Sequence, residues 1–486
     1  MTVGLKTEEV TELALHRSTL NENVLKAEYA VRGKLYQAAV ERAESGKKVI
    51  YTNVGNPHAL GQKPITFMRQ VLALVNYPAL MEQPELASHF PKDVVERAKT
   101  YIANTPGGTG AYQDSRGNAY VRQEVADFLT ERDGYPAKFE DIYLTDGASQ
   151  GISLCLFLAI RGRSDGILTP VPQYPLYSAS IELRNGTKCS YYLDEESGWG
   201  LSIAELERSV KEARSNGVLP RAIVIINPGN PTGQCLTVNN MEAIVRFCVR
   251  EKIAILADEV YQTNVYPEGS KFVSFLKVVQ DMGQEAKNCQ LISFHTVSKG
   301  VVGECGRRGG FFHVHNIPEG VVEQMYKVMS TSLSANVEGM LVVGMMVNPP
   351  KVGDESYELY FKETNGILES LKRRAKMIYD AFSSMRGISC NPVEGALYCY
   401  PNVKIPAEAV EAAKKKDIAP DVLYCLELLD ATGICTIPGS GFHQKEGTFH
   451  LRTTILPPED EFEQIVKDFM DFHEGFLSKY NAAEDF

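Results

Sequence analysis

The chain has 486 residues, of which 44% are hydrophobic and 23% are charged, and its formal net charge is -11 at pH 7. This composition excludes disordered and fibrous proteins, and the negative charge disfavours nucleic acid or an anionic membrane surface as the principal partner. Because the chain is longer than a single hydrophobic core usually supports, we expect two domains that bind small-molecule ligands.

The cysteines and the N-terminal segment indicate an intracellular compartment. Ten cysteines are scattered without a CxxC pair, a pattern of reduced thiols that disfavours a structural zinc site. The first residues, MTVGLKTEEVTEL, lack both an apolar segment and an Arg-rich transit pattern. No uncharged apolar stretch reaches transmembrane length. We therefore expect a cytoplasmic protein with no membrane partner, and the sequence leaves a mitochondrial form open.

The first two thirds of the chain predict alternating helices and strands. A helix over 28–46, a short strand within 48–57 and helices near 65–75 and 94–104 come first. Apolar β-rich runs then alternate with helical patterns, and the predicted strands span 142–145, 166–173, 187–194, 221–228, 253–261 and 290–298. This alternation indicates a largely parallel sheet with helices on both faces. Ligands of such sheets bind beyond the carboxyl ends of the strands.

The remainder, after about residue 345, has an α+β pattern. A helix over 357–382, a strand-like run over 395–403, a helix over 407–416 and a strand over 449–456 precede a final amphipathic helix. Apolar residues of that last helix recur at helical spacing, which indicates core packing: Phe462, Ile465, Phe469, Phe472 and Phe476. We divide the chain into an N-terminal arm with part of a small domain (1–70), a large domain (71–345) and the C-terminal small domain (346–486).

One lysine follows the last predicted strand of the alternating region. Lys299 lies in SFHTVSKGVVGECGRRGG, after the hydroxyl residues Thr296 and Ser298 and before Arg308. Hydroxyls and a guanidinium suit a phosphate, and a lysine amine forms a Schiff base with a carbonyl. The segment therefore indicates a site for a phosphorylated aldehyde. By itself it leaves a solvated surface lysine open as the alternative.

A glycine-containing turn between a predicted strand and a helix, DGASQGI, supplies a second phosphate-binding element. The backbone N–H groups of Gly147, Ala148 and Ser149 would point outward there, and the helix N-terminus adds partial positive charge. An ordinary N-cap serine is the alternative interpretation.

Two further loops at the same sheet edge carry polar groups. The loop INPGNPTG, residues 226–233, predicts an unusual backbone that would accommodate a cis peptide at a proline, and Asn230 would offer an amide donor to a ring oxygen. Asp258 and Tyr261 end an apolar strand in ADEVYQ, where a carboxylate is costly unless it meets a cation such as a protonated pyridine nitrogen. An N-cap or a structural salt bridge is the alternative for Asp258.

Tyrosine, arginine and histidine positions complete the candidates. Tyr174, in the proline-stiffened loop PVPQYPLY, would stack on a planar ligand or only pack. Arg452, in the apolar strand FHLRTTIL, needs a carboxylate partner from the protein or from a substrate. His313 and His315 have a spacing that a metal could use. Since no third ligand is evident and a strand explains their alternation, we expect no metal.

Together these motifs resemble a known family. NPGNPTG, DEVY and SK followed by G-x-R-x-G, in that order, are similar to the fold-type I pyridoxal-phosphate-dependent aminotransferases. From about residue 25 to the C-terminus, longer stretches resemble the alanine aminotransferase branch: GTGAYQDSRG, TPVPQYPLYSA, SKGVVGECGRRGG, NPPKVGDESYELYFKE and PGSGFHQKEGTFHLRTTILPP. The resemblance implies an α/β fold with a large domain, whose mostly parallel seven-stranded sheet lies between helices, and a smaller α+β domain built from both chain ends. It also implies pyridoxal 5′-phosphate and the reaction of L-alanine with 2-oxoglutarate to pyruvate and L-glutamate.

The resemblance implies a role for each candidate residue. Lys299 would hold the cofactor as a Schiff base and carry the transferred proton. Asp258 would keep the ring nitrogen protonated, and Tyr174 would stack on the ring, which makes these three the implied catalytic group. Asn230 and Tyr261 would bind the phenolic oxygen. The implied phosphate ligands are Gly147, Ala148, Ser149, Thr296, Ser298 and Arg308.

Substrate binding and assembly are implied in the same way. Arg452 would bind the substrate α-carboxylate, together with the backbone of Gly55 and with Asn230. Tyr112 would reach the phosphate of the neighbouring subunit, which implies a homodimer with shared sites. Arg307 fills a position that is usually aromatic in animal relatives, so it is not the expected phosphate ligand.

Other functions share these residues. A lyase of the aminocyclopropane-carboxylate synthase type has the same lysine, aspartate and arginine, and another aminotransferase, such as a glutamate–glyoxylate enzyme, would use the same scaffold. A non-catalytic regulator that binds the cofactor would need a DNA-binding module or a lost catalytic group, and the sequence shows neither. The stretches ESYELYFKE and PGSGFHQKEG favour the alanine enzyme.

Overall fold

The structure, a computed structural model, describes residues 15–29 and 33–482. The α-helices are α1 Glu22–Lys26, α2 Lys34–Glu44, α3 Thr66–Asn76, α4 Ala79–Glu82, α5 Pro84–Ala87, α6 Lys92–Ala103, α7 Ala119–Asp133, α8 Ala148–Ala159, α9 Pro175–Leu183, α10 Ile203–Ser215, α11 Val238–Glu251, α12 Phe275–Met282, α13 Glu319–Ser330, α14 Val337–Val347, α15 Tyr357–Ser384, α16 Ala407–Lys415, α17 Pro420–Thr432 and α18 Glu459–Lys479. Short 3-10 helices span Arg17–Thr19, His58–Leu60, Phe139–Asp141, Gly283–Ala286, Cys305–Arg307 and Gly439–Phe442.

The β-strands form one large sheet and several short pairings. They are β1 Ile50–Tyr51, β2 Ile142–Thr145, β3 Asp165–Val171, β4 Thr187–Tyr192, β5 Leu219–Ile226, β6 Ala254–Asp258, β7 Leu291–Thr296, β8 Gly310–His315, β9 Ile388–Ser389, β10 Tyr398–Cys399, β11 Asn402–Val403, β12 Ile434–Cys435, β13 Ile437–Pro438 and β14 Leu451–Thr454. The large sheet has seven strands in the order β2-β8-β7-β6-β5-β3-β4. This arrangement confirms the predicted α/β fold with its mostly parallel seven-stranded sheet.

Helices cover both faces of this sheet, as the alternation of its buried side chains shows. Along β5, Val224 and Ile226 belong to one hydrophobic cluster, whereas Ile223 and Ile225 belong to another. Successive side chains of a strand point to opposite faces, so each face has its own core. Burial on both faces explains why the strands read as continuous apolar runs.

Strand β8 runs antiparallel to both of its neighbours, β2 and β7. The chain returns to β8 from the end of β7 through residues 297–309, which contain only a 3-10 helix. A parallel return would need a longer crossover, usually an α-helix. The short connection therefore brings the beginning of β8 back to the sheet edge at which β7 ends.

Several predicted elements are shorter in the structure. Strand β6 ends at Asp258, because the next residues form a turn in which the Gln262 N–H donates to the Glu259 carbonyl at 3.2 Å. The run over 395–403 is divided into β10 and β11 around Pro401, which has no N–H for a strand ladder. The predicted helix over 28–46 is observed as Lys34–Glu44, and 30–32 lie outside the described residues.

The beginning of the chain pairs with its C-terminal part. Strands β1 and β12 run parallel, and the Thr454 N–H donates to the Thr52 carbonyl at 3.0 Å. The prediction that the apolar stripe of α18 is core is confirmed for Phe462, Ile465, Phe469 and Phe476, which are buried. Phe472 is partly buried against the same core. These contacts place β14 and the loop after β1 next to each other. Among residues 15–29 and 33–482, the structure contains no helix of the length and apolarity needed to cross a membrane.

Candidate active site

A cavity of about 850 Å3 lies at the carboxyl edge of the sheet. The ends of β5, β6 and β7, the start of α8, the loop after β1 and strand β14 all contribute to its wall. Twelve residues proposed from the sequence line it: Gly55, Ala148, Ser149, Tyr174, Asn230, Asp258, Tyr261, Thr296, Ser298, Lys299, Arg308 and Arg452. The folded chain therefore brings together side chains that are up to about 400 positions apart in sequence.

Lys299 follows β7 and points into this cavity. Its Nζ donates to the Gly55 carbonyl at 2.7 Å and lies 6.0 Å from the ring centre of Tyr261. A Cβ atom at position 55 would lie 2.0 Å from the Tyr398 hydroxyl and 2.9 Å from Lys299 Nζ. Only glycine therefore permits this approach of the lysine amine and the tyrosine hydroxyl.

Asp258 is buried at the end of β6 with one oxygen engaged and one free. The Tyr177 hydroxyl donates to Oδ2 at 2.6 Å, whereas Oδ1 has no partner among the described residues. Burial raises the pKa of Asp258 to about 6, although Tyr177, the Val260 N–H and Lys299 oppose the rise. The residue caps no helix and forms no ion pair within the described chain. The free oxygen thus fits a cationic donor in the cavity.

Tyr177 was missed by the sequence analysis. It lies in the first turn of α9, three residues after Tyr174, and residues at that spacing share a helix face. Tyr177 is fully buried. Burial, and after it the charge of the neighbouring Asp258, raise the pKa of the Tyr177 hydroxyl well above the ordinary value. The phenol therefore stays a proton donor to Asp258. The i, i+3 spacing after Tyr174 was the available signal.

Arg308 and the start of α8 face each other at one end of the cavity. The Arg308 guanidinium donates to the Asp146 carbonyl at 2.8 Å and to the Cys305 carbonyl at 3.0 Å. The hydroxyls of Ser149 and Ser298 each lie 3.4 Å from it. A Cβ atom at Gly147 would lie 2.5 Å from the guanidinium, and the φ of this glycine is +81°. The cradle combines hydroxyls, a guanidinium and a helix N-terminus, which suits a phosphate.

Arg307 points away from this cradle. Its guanidinium forms an ion pair with Glu338 on α14 at 2.5 Å. The backbones of the two segments also touch: a Cβ atom at Gly309 would lie 2.3 Å from the Gly339 carbonyl, and one at Gly339 would lie 2.6 Å from the Arg307 carbonyl. The two consecutive arginines therefore point in different directions: Arg307 binds Glu338 of α14, and Arg308 lines the cavity.

Arg452 is 2% exposed and forms no ion pair with a carboxylate of the described residues. Its guanidinium donates to Asn230 Oδ1 at 3.0 Å and to the Asn53 carbonyl, and its Nε has no partner within the described chain. The Asn230 amide also approaches the Tyr261 hydroxyl at 3.5 Å. A buried guanidinium without an anion needs a partner from outside the chain.

Tyr398 is a second residue that the sequence analysis missed. Its ring lies 4.1 Å from the Arg452 guanidinium, and the Tyr261 hydroxyl donates to its hydroxyl at 3.3 Å. Burial alone would raise the pKa of Tyr398, but the Lys299 ammonium and the Arg452 guanidinium lower it. Tyr398 lies on β10, in the strand-like run 395–403, and no local sequence pattern marks it as part of the site.

The remaining candidates lie at the periphery of the cavity or outside it. The Tyr174 hydroxyl is 3.0 Å from the Tyr29 hydroxyl, which comes from the described N-terminal segment. Tyr112 is 75% exposed and does not line the cavity of its own chain. His313 and His315 lie on β8, and burial lowers the pKa of His313 to about 3. Within residues 15–29 and 33–482, no cluster of three or more His, Cys, Asp or Glu side chains could hold a metal ion.

These observations fit a flat, phosphorylated pyridine. The unpartnered Asp258 Oδ1 suits a protonated ring nitrogen, the Arg308 cradle suits a phosphate, and Lys299 suits an aldehyde carbon. The loop 226–233 has cis peptide bonds at Asn227–Pro228 and Asn230–Pro231, an unusual backbone as its sequence predicted. Fold and cavity define a pyridoxal-phosphate-dependent enzyme.

Comparison with known proteins identifies the kind of enzyme. Residues 82–469 match the family described as aminotransferase class I and II. The chain belongs to this family, whose members use pyridoxal 5′-phosphate. It is 56% identical to glutamate–glyoxylate aminotransferase 1 of Arabidopsis thaliana, with 96% of this chain and 98% of the relative covered.

Alanine aminotransferases are similar over nearly the same length. A probable mitochondrial alanine aminotransferase of Dictyostelium discoideum is 50% identical, covering 94% of this chain and 89% of the relative. Alanine aminotransferase 1 of Mus musculus is 43% identical, covering 95% of each chain. Among solved structures, an alanine aminotransferase from Pyrococcus furiosus shares the fold with a TM-score of 0.74, at 22% identity, covering 94% of this chain and 100% of that one.

Proposed function

We propose that this aminotransferase transfers the amino group of L-alanine to 2-oxoglutarate, giving pyruvate and L-glutamate. The observation that carries the proposal is the buried Arg452, which lacks an anionic partner within the described chain and shares one cavity with Lys299. Both substrates have a carboxylate beside the reacting carbon, so one arginine suits them both. The similarity to alanine aminotransferases over nearly the whole chain supports this choice of substrates.

The residues at one side of the cavity would hold the cofactor. Asp258, oriented by Tyr177, would hold the ring nitrogen, and Tyr174 would cover the ring. Asn230 and Tyr261 would bind the phenolic oxygen. The phosphate would take hydrogen bonds from the cradle formed by Gly147, Ala148, Ser149, Thr296, Ser298 and Arg308. When bound, pyridoxal phosphate supplies a ring that accepts the electron pair released from the substrate Cα.

The chain itself moves the proton and orients the substrate. Lys299 would anchor the cofactor, and as a free amine its Nζ would take the proton from the substrate Cα and hold it for the return transfer. The Gly55 carbonyl, which accepts from Nζ at 2.7 Å, holds the amine at the cavity wall. Arg452 would bind the α-carboxylate through its fork of N–H donors, and Asn230 keeps that fork in place. Positioning of this kind is a large part of enzymatic rate enhancement.

A glutamate–glyoxylate transamination is the second candidate for the same site. Its support is the 56% identity to two Arabidopsis thaliana enzymes of that name. The chemistry and the residues are the same, and only the small oxo acid differs, since glyoxylate lacks the methyl group of pyruvate.

A substrate panel tests the proposal. The holoenzyme is mixed with L-alanine and 2-oxoglutarate, and pyruvate and glutamate are quantified; a parallel reaction uses L-glutamate and glyoxylate. We expect glutamate and pyruvate in equal amounts, and their loss in Lys299→Ala but not in the exposed control Lys271→Ala. A lyase would form no glutamate, and a kcat/KM about tenfold higher with glyoxylate than with the alanine pair would assign the second candidate instead.

The assembly and compartment belong to the same proposal. The protein would form a homodimer in which Tyr112, 75% exposed in the single chain, reaches the phosphate site of the partner. It would act in the cytoplasm, although mitochondrial alanine aminotransferases occur among the relatives. The proposed division is an N-terminal arm with part of the small domain (1–70), a large cofactor-binding domain (71–345) and the C-terminal small domain (346–486). Mass measurement in solution and cell fractionation test the assembly and the compartment.

A further inference from the structure

Two cysteines meet beside the substrate-binding wall of the cavity. Cys390, just after β9, and Cys399, on β10, have their sulfur atoms 3.4 Å apart. Nine positions separate them in sequence, and the connecting segment contains Pro392. Neither residue takes part in the proposed reaction.

The two thiols differ in access to solvent. Cys399 is fully buried, and burial together with the Cys390 contact raises the pKa of its thiol well above the ordinary value. Cys390 is only half-buried. An oxidant from solution would therefore reach Cys390 first, and Cys399 would be the second sulfur to react.

We infer that Cys390 and Cys399 are a modification site that takes a peroxide as oxidant and closes to a reversible disulfide. The Cys390 sulfur attacks one oxygen of the peroxide, whose O–O bond breaks, and Cys390 becomes a sulfenic acid while the other oxygen leaves as water or alcohol. The Cys399 sulfur then attacks the Cys390 sulfur, the S–O bond breaks, and the departing hydroxyl takes the Cys399 proton to form water. Two electrons pass from the two thiols to the peroxide, and a dithiol reductant reverses the reaction.

The site is connected to the proposed function through strand β10. Cys399 follows Tyr398, whose ring lies 4.1 Å from the Arg452 guanidinium. Cys399 also pairs with Thr453, the residue after Arg452, in the ladder between β10 and β14. Disulfide formation shortens the sulfur–sulfur distance from 3.4 Å to about 2 Å. Part of this movement falls on β10 and displaces the Tyr398 ring.

The experiment uses the full-length holoenzyme treated with hydrogen peroxide. Trypsin leaves both cysteines in one peptide, 387–404, and a second cleavage after Glu394 separates them. We expect the disulfide to keep the two fragments linked until a dithiol is added. The variant Cys390→Ser, at the half-buried position, should form no linked product and should keep its activity. Cys235→Ser, another partly exposed cysteine with no role in the pair, is the matched control and should behave as the wild type.

The kinetic measurement tests the connection to the cavity. We expect kcat/KM for the amino donor to fall roughly three- to tenfold on oxidation and to recover with dithiol, because displacements of about 1 Å in a site cost up to ~100-fold. Unlinked fragments that carry a sulfinic acid or a mixed disulfide at Cys390 would overturn the proposed site. A linked product with unchanged kinetics would overturn its connection to Arg452. The peptide measurement does not depend on the identity of the substrates, so an error in the proposed function would not change its result.

Discussion

Removal of the Tyr177 hydroxyl provides a direct test of how the buried aspartate is kept charged. In Tyr177→Phe the ring remains and the 2.6 Å hydrogen bond to Asp258 is lost. A hydrogen bond to a charged group contributes about 1.5–3 kcal/mol, which corresponds to about one to two pH units. Because the bond stabilises only the ionised form, its loss raises the pKa of Asp258 above its value of about 6.

The assay is cofactor binding to the apoprotein as a function of pH. Binding requires the Asp258 carboxylate, so affinity falls as pH decreases through the pKa of that group. We expect the midpoint of this fall to move upward by about one to two pH units in Tyr177→Phe. Starting from a pKa of about 6 in the wild type, the ionised fraction of Asp258 at neutral pH, and with it the affinity, then falls roughly two- to tenfold. The cofactor's own titration is the same in both measurements, so the difference between the two midpoints reports on Asp258.

Tyr143→Phe is the matched control. Tyr143 is as fully buried as Tyr177, but its hydroxyl has no partner among the described residues. Loss of that hydroxyl should leave both the midpoint and the affinity unchanged. If the midpoints of the wild type and of Tyr177→Phe coincide while both bind cofactor, the reasoning about Asp258 is wrong.

Three other experiments test separate parts of the structure. Arg452→Lys should raise the KM of both substrates roughly tenfold to 100-fold through loss of a charge-assisted hydrogen bond, with the absorbance of the bound cofactor unchanged; an unaltered KM would contradict the carboxylate role. Burial raises the pKa of Glu259 to about 7 from 4.5. As pH rises from about 4.5 to 7, the folded state therefore keeps a proton that the unfolded state has lost, and the free energy of unfolding falls by up to about 3 kcal/mol. In Glu259→Gln, the free energy of unfolding measured with urea should no longer show this decrease. The same pH dependence in the wild type and in the variant would contradict the prediction. Mixed dimers of Tyr112→Phe and Lys299→Ala should keep one intact site and about half of the wild-type activity; cofactor affinity at the level of the Tyr112→Phe homodimer would show that Tyr112 acts in its own subunit.

Much of the site could be predicted because its residues occupy positions that strand topology fixes. Asp258, Thr296 and Asn230 follow or end strands of one sheet, and the carboxyl ends of parallel strands meet at one edge. The motifs therefore placed side chains in space without any knowledge of packing. Arg308 lies at the same edge because residues 297–309, which contain only a 3-10 helix, return the chain to the edge at which β7 ends.

The residues that escaped prediction depend on contacts between distant segments. Tyr398 reaches Lys299 and Arg452 only because β10 pairs with β14 and the loop after β1 lies beside them. Tyr29 meets Tyr174 across 145 positions of sequence. Propensity and periodicity report on neighbours along the chain, so neither describes an approach of this kind. The contact of Arg307 with Glu338 likewise depends on how α14 docks, and the sequence alone left that arginine without a partner.

The backbone contact between Gly309 and Gly339 holds the turn that carries Arg308, the proposed phosphate ligand. Helix α14 lies directly against the turn that carries Arg308, with no side chain between the two backbones. Hydrogen bonds to Asp146 and Cys305 then hold the guanidinium in its place. Ordering a flexible arginine during association would subtract about 0.5–1.5 kcal/mol from the binding free energy. Because the hydrogen bonds to Asp146 and Cys305 form within the folded chain, we expect this cost to be met on folding and not when a phosphate binds.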